Sequence, residues 1–303
     1  MTAKDKSDRF VGCLLGLAVG DAVGTTVEFK ARGTFQPLTD MAGGGPFRLP
    51  PGAWTDDTSM VLCLGYSLVE KQGFDPVDQM ERYCAWRDEG YLSSTGVCFD
   101  IGNTVSAALS RYKMSGDPFS GSTDPYSAGN GSIMRLAPVP MFYHADEAQV
   151  IHFSGESART THGAAEAVDA SRLFGGMVWA ALSGRTKAEI LAYTGYTPTT
   201  PKIQALASGA YRTKSRDEIK GTGYVVPALE AALWCFYTTA NFREAVLMAA
   251  NLGDDADTTA AICGQVAGAF YGKSGIPETW LDKLVRRAEI EQLALDLTAG
   301  PQA

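Results

Sequence analysis

Histidine is scarce in this chain, three in 303 residues, and the six cysteines include no Cys-x-x-Cys pair. Neither the imidazole nor the thiolate set of a structural zinc site is therefore offered. Cys13, Cys63, Cys84, Cys98, Cys235 and Cys263 are scattered, mostly in apolar stretches, as expected of reduced thiols in a cytoplasmic protein. Positive charge is also short: 26 Lys and Arg stand against 34 Asp and Glu, for a net charge of −8. That balance disfavours nucleic acid and anionic membrane surfaces as partners. Long apolar runs are missing as well. The stretch Phe10 to Val19 is interrupted by glycines and meets Asp21 too soon to span a bilayer, and no export or anchoring signal is evident. No Pro/Ser-rich linker, charge run or fixed repeat marks a boundary, so residues 1–303 read as a single domain with a core at about 8–290.

What is present is an ordinary globular composition, 45% hydrophobic and 20% charged, with helical periodicity wherever a period is legible. Met60, Val61, Leu62, Leu64, Leu68 and Val69 give Ser59 to Glu70 a broad apolar face, the mark of a helix buried on most sides. The stretches 164–182, 227–237 and 258–271 read the same way. In the last, Gly264 and Gly268 invite close approach by a neighbouring backbone, and Gly272 is a natural stop. Short extended pieces are expected only near Phe35 to Leu49 and around Val225, so the fold class is all-α. Two glycine-rich loops, 41–54 and 116–130, are expected on the surface, where ligand sites commonly lie.

Two acidic clusters each precede a helix of small and apolar residues: Thr55-Asp56-Asp57-Thr58, and Asp254-Asp255-Ala256-Asp257-Thr258-Thr259. One Asp or Thr at such a place caps a helix and suits its macrodipole. A cap uses one side chain, however, and the extra carboxylates repel each other, more strongly as water is excluded. A hard divalent cation bound through carboxylate and hydroxyl oxygens resolves the repulsion, provided the clusters meet in the fold. Beside these, the glycines of Gly129-Asn130-Gly131-Ser132 expose backbone N–H groups ahead of an expected helix start, which suits a phosphate and equally suits a simple turn. Asp100 and Asn103 read as caps or as site residues, and His162 as a structural histidine or a ligand contact.

The ordered motifs Gly16-Leu-Ala-Val-Gly-Asp21 with Val27-Glu28-Phe29, Thr55-Asp-Asp-Thr58, Asp100-Ile-Gly-Asn103, Gly129-Asn-Gly-Ser132-Ile-Met-Arg135, Thr161-His162 and Asn251-Leu-Gly-Asp-Asp255-Ala-Asp257-Thr-Thr259 resemble the ADP-ribosylglycohydrolase family. The likeness runs from about residue 8 past Gly272, and is greatest to the branch that includes the bacterial dinitrogenase reductase-activating glycohydrolases. The resemblance implies many packed helices around a cleft holding two Mg²⁺ or Mn²⁺ ions. It implies Thr55, Asp56, Asp57, Asp255, Asp257 and Thr258 as ligands, and not Asp254, where relatives often have glycine. It further implies that Gly129, Asn130, Gly131 and Ser132 hold the diphosphate, that Gly102, Asn103, Met134 and His162 bind substrate in the same cleft, and that Tyr224 lies near the adenine. Glu28 and Asp100 are the implied catalytic carboxylates. The expected reaction is release of ADP-ribose from an ADP-ribosylated protein, arginine-linked first. Serine-linked or small-molecule conjugates, a metal-dependent phosphohydrolase and a non-catalytic relative remain as alternatives. A regulatory partner is not specified by the sequence.

Overall fold

The computed structural model describes residues 2–301. Fourteen α-helices account for most of them: α1 (Ala3–Gly24), α2 (Asp56–Lys71), α3 (Pro76–Glu89), α4 (Asn103–Ser115), α5 (Pro138–Phe142), α6 (Glu147–Arg159) and α7 (Ala165–Leu182) in the first part of the chain. The second part holds α8 (Lys187–Leu191), α9 (Pro201–Ala207), α10 (Val225–Thr238), α11 (Phe242–Ala250), α12 (Ala256–Tyr271), α13 (Glu278–Leu281) and α14 (Arg287–Thr298). Among the described residues there is no strand, only isolated bridges at Gly44–Leu49, Ser122–His162 and Gly129–Tyr224. The fold is all-α, with extended pieces close to where the periodicity lapses.

Helix α1 begins at a capping box, Thr2 accepting from the Asp5 N–H and Asp5 from the Thr2 N–H. Phe10, Leu14, Leu15, Leu17, Ala18 and Val19 are all buried. By length and composition α1 would reach across a bilayer, contrary to the sequence reading, yet its apolar stretch is buried among other helices. Its closest neighbour is α12, running antiparallel. Gly12 and Gly16 face Gly268 and Gly264, while Gly20 and Gly24 face Ala260 and Ala256. The approach excludes any side chain: a Cβ at Gly20 would lie 2.2 Å from the Ala260 carbonyl oxygen, and one at Gly24 would lie 2.4 Å from Asp257 Cα. Glycine costs a helix interior about 0.5–1 kcal/mol relative to alanine, so this row of glycines is stable only because the two backbones touch. The consequence is positional. The end of α1, carrying Asp21, is pressed against the start of α12, carrying Asp257.

Two loop expectations change on folding. Loop 41–54 runs into the core at both ends, with Met41 and Trp54 buried and the Trp54 indole N–H donating to the Val285 carbonyl at 3.0 Å. The glycines at 129–131 lead into a single 3-10 turn, Asn130–Ser132, and not into an α-helix. Pro138 and Pro140 fall in the first turn of α5, where a missing N–H costs no intrahelical bond.

Candidate functional site

The N-termini of α2 and α12 meet beside the end of α1, and neither uses its own acidic cluster as a cap. The N-cap residues Thr55 and Asp255 make no side-chain capping bond. Asp21 does that work for α2 from another helix. Its Oδ1 accepts from the Thr55 N–H (2.9 Å) and hydroxyl (3.0 Å), and its Oδ2 from the Thr58 N–H (3.0 Å) and hydroxyl (2.6 Å). Asp56 and Asp57 are thereby left free of capping duty. The clusters touch through Thr55 Oγ1 to Asp257 Oδ2 (3.2 Å) and Thr258 Oγ1 to Asp57 Oδ1 (3.3 Å).

Asp21, Asp56, Asp57 and Asp257 are all buried, and no ion pair reaches them among the described residues. One carboxylate oxygen from each of Asp21, Asp57 and Asp257 lies within 4.8 Å of the others, and the same holds for Glu28, Asp100 and Asp257. Asp257 belongs to both groups. Burial, then mutual repulsion, pushes the carboxyls of Asp56, Asp57 and Asp257 well above the usual range and those of Glu28 and Asp100 to about 10, while burial raises Asp21 to about 6 against the lowering effect of its Thr58 and Thr55 hydrogen bonds. Two helix N-termini supply only about one positive charge between them, too little for four buried aspartates. Asp57 Oδ2 and Asp257 Oδ1 are buried with no hydrogen-bond partner. Orphaned carboxylate oxygens amid hydroxyls and other carboxylates fit hard divalent cations. Asp21 differs, since both its oxygens are already occupied by donors. It orients the others.

Above this floor opens a cleft of about 700 Å³, within the range of small-molecule sites. Glu28, Asp56, Asp100, Gly102, Asn103, Gly129, Asn130, Gly131, Met134, His162, Asp255, Asp257 and Thr258 all line it. Most of the residues singled out from the sequence thus share one cleft. Thr55 and Asp57 lie beneath the floor, fully buried, and Ser132 is buried behind the wall, its hydroxyl receiving the Ser171 hydroxyl at 3.1 Å. Tyr224 flanks the cleft. Its backbone bridges to Gly129, while its hydroxyl donates to Glu166 and receives Lys202 Nζ at 2.7 Å. Neither Asp100 nor Asn103 is a cap: α4 is preceded by Gly102, and Asp100 is held at φ 60°.

Several segments are stitched together by contacts that no local sequence pattern shows. Asn130 Nδ2 donates to Asp255 Oδ2 at 2.7 Å, and the Asn130 N–H donates to the Gly223 carbonyl at 3.0 Å. Gln265 Nε2, inside α12, donates to the Ile133 and Met134 carbonyls, both at 2.9 Å. The glycines matter sterically, for a Cβ at Gly131 would lie 2.7 Å from His162 Cε1. His162 itself is oriented from behind. Arg135, fully buried over the Tyr83 ring, donates to Thr161 Oγ1 at 2.6 Å, and Thr161 Oγ1 lies 2.8 Å from His162 Nδ1. The threonine hydroxyl accepts from Arg135, which can only donate, and keeps a proton that it can give to His162 Nδ1, an arrangement that leaves the ring proton on Nε2. Burial and the nearby Arg135 charge push the His162 pKa down to about 3, keeping the ring neutral.

Asp21 could have been found as the one charged residue in the stretch Phe10 to Gly24 of α1, a placement that calls for partners. Arg135 and Thr161 carried no such signal, because nothing local says that they meet.

A family model described as ADP-ribosylglycohydrolase matches residues 2–303. The chain is 44% identical to "ADP-ribosylarginine hydrolase Tri1" of Pseudomonas putida (strain GB-1), covering 98% of this chain and 80% of that one. It is 35% identical to the "ADP-ribosyl-[dinitrogen reductase] glycohydrolase" of Rhodospirillum rubrum, covering 96% and 95%. A solved structure titled "ADP-ribosylglycohydrolase-related protein complex" superposes with a TM-score of 0.88 at 42% identity, covering 99% of this chain and all of the other.

Proposed function

The chain belongs to the ADP-ribosylglycohydrolase family, a family of hydrolases, and from that premise we propose that it removes ADP-ribose from arginine side chains of modified proteins with the help of two divalent cations. The observation that carries the cation requirement is the pair of orphaned buried oxygens, Asp57 Oδ2 and Asp257 Oδ1, at the junction of two helix N-termini. The arginine linkage is supported by the 44% identity to a relative named as an ADP-ribosylarginine hydrolase. Residues 1–303 act as one domain.

Thr55, Asp56, Asp57, Asp255, Asp257 and Thr258 are the proposed ligands for Mg²⁺ or Mn²⁺. When bound, the cations supply Lewis-acid charge that orients sugar hydroxyls and polarises a nucleophile. Asp21 fixes Thr55 and Thr58, and Asn130 fixes Asp255, so the ligand set is organised before it is filled. Gly129, Asn130, Gly131 and Met134 form the cradle for the diphosphate region, backed by the buried Ser132, with neutral His162 donating from Nε2 on the same side. Gly102 and Asn103 complete the wall, and Tyr224 borders the adenine end. Hydrolysis breaks the bond between the anomeric carbon and the guanidine nitrogen and joins that carbon to a water oxygen. Held ionised when the cations' charge is present, Glu28 and Asp100 stabilise the oxocarbenium-like charge and take the water proton, which passes to the departing guanidine so that it leaves as guanidinium.

The test is incubation with arginine- and serine-ADP-ribosylated proteins, with and without EDTA, reading products by mass. Intact ADP-ribose from the arginine-linked protein, abolished by chelation, is the expected result. AMP and ribose phosphate would identify a phosphohydrolase instead, and undiminished turnover after verified metal removal would exclude the cation reading.

A further inference from the structure

Glu28 and Asp100 each stand next to a phenylalanine, Phe29 following the first and Phe99 preceding the second. Phe29 is 67% exposed and lines the cleft. Its ring meets Phe47 edge-on with centroids 6.4 Å apart, and Phe47 in turn lies 5.1 Å from Phe99. The three rings join the two loops that carry the carboxyls.

Stability does not explain this arrangement. Phe29 has φ 60°, in the left-handed region that a bulky residue avoids, and its ring is turned largely toward water. The conformation is pinned: the Phe29 N–H donates to the Asp254 carbonyl at 2.7 Å, and the Asp254 N–H donates to the Lys30 carbonyl at 2.8 Å. Asp254 and Asp100 are also at positive φ, 56° and 60°. Strained conformations held by the surrounding structure collect where a site needs a group in one place.

We propose that Phe29, backed by Phe47 and Phe99, receives the guanidinium of the modified arginine and so sets the preference for arginine-linked over serine-linked ADP-ribose. The inference rests on the cleft reading given above, in which the bond to be cut lies near Glu28 and Asp100. A guanidinium is planar, delocalised and weakly hydrated, so it stacks on an aromatic face, and the carboxyls beside that face complement its charge. A serine leaving group offers neither plane nor charge.

The test measures kcat/KM of the full chain, Phe29→Ala and Phe29→Tyr, on ADP-ribosylarginine and ADP-ribosylserine conjugates in Mg²⁺. The exposed position keeps both variants folded, which melting curves verify. Phe29→Ala is expected to lower the ratio of arginine to serine kcat/KM about tenfold, the size of a partly desolvated cation–π contact, mainly through KM on the arginine conjugate. Phe29→Tyr, which keeps the aromatic face, preserves the ratio. An unchanged ratio in Phe29→Ala, or equal losses on both conjugates, overturns the proposal while leaving the arginine reading intact. A parent enzyme that cleaves only the serine conjugate overturns both.

Discussion

The floor of the cleft and its flank around His162 handle buried charge in opposite ways. On the floor, four buried aspartates lie together without a basic partner, two of their oxygens unbonded. On the flank, the buried Arg135 has no carboxylate, yet it is shared among the Ser157 carbonyl, the Thr160 and Thr161 hydroxyls and the Tyr83 ring. Moving a like-charged group next to an opposite one would relieve both, and the fold keeps them apart. The difference teaches that the flank answers its charge with hydroxyls, a carbonyl and a ring, Arg135 Nε staying unbonded, whereas the floor gathers carboxylates that could take a metal ion.

Asp257→Asn should break the floor most completely, because Asp257 belongs to both carboxylate groups. Loss of activity by about 10³-fold or more is expected, the scale of several kcal/mol of lost charge stabilisation. The same variant should lose most of the stabilisation by Mn²⁺, which mass action puts at about 2.7 kcal/mol when metal is roughly 100 times its Kd. Its metal-free melting temperature should equal or exceed that of the parent, since one repelling charge has gone. A capping role predicts otherwise, for Asn caps well and the metal response would survive.

The pH dependence of the metal-free protein sharpens the contrast. Asp21, Glu28 and Asp100 have folded pKa values raised to about 6, 10 and 10. The folded chain therefore holds protons that the unfolded chain has released, and stability falls as pH rises from the unfolded carboxylate range near 4 toward those values. Melting curves in EDTA should drop by several degrees between pH 5 and pH 7.5, and excess Mn²⁺ should flatten the decline. A flat curve in EDTA would mean that the floor is not strained.

On the flank, Thr161→Val keeps shape and removes the hydroxyl that joins Arg135 to His162. Affinity for ADP-ribose should fall about tenfold, the lower part of the cost of an unsatisfied buried group, and Thr161→Ser should restore it. Nitrogen-15 spectra of the parent should show His162 protonated at Nε2. A ring protonated at Nδ1 would refute the relay. The smallest effect is expected at Tyr224, whose hydroxyl is engaged with Glu166 and Lys202 beside the cleft. Tyr224→Phe should change kcat/KM by less than about twofold, and a larger loss would mean that the hydroxyl reaches substrate.

Legibility followed the range of the interactions. Helices α2, α7, α10 and α12 were readable because burial imposes a period on neighbouring residues, and their observed ends fall within two or three residues of the expected ones. Gly264 and Gly268 signalled a close neighbour without identifying it, and α1 supplies the matching glycines. Each acidic cluster alone was compatible with capping or metal binding. Asp21, arriving from α1 to cap α2, removes the capping explanation for Asp56 and Asp57, and its four hydrogen bonds join residues 34 to 37 positions apart.

By itself the sequence determined the helical class, the two acidic helix starts, the glycine loop at 129–131 and the all-oxygen character of the candidate ligands, because propensity, periodicity and donor chemistry are properties of residues and their near neighbours. The tertiary structure decided which helix caps which, that Asp57 and Asp257 are left with unbonded oxygens, that Arg135 reaches His162 through Thr161, and that three phenylalanines link the loops of Glu28 and Asp100. Those outcomes depend on partners separated by tens to hundreds of residues. Only the close fit of α1 against α12 and the segments stitched around it brings such partners within hydrogen-bond reach.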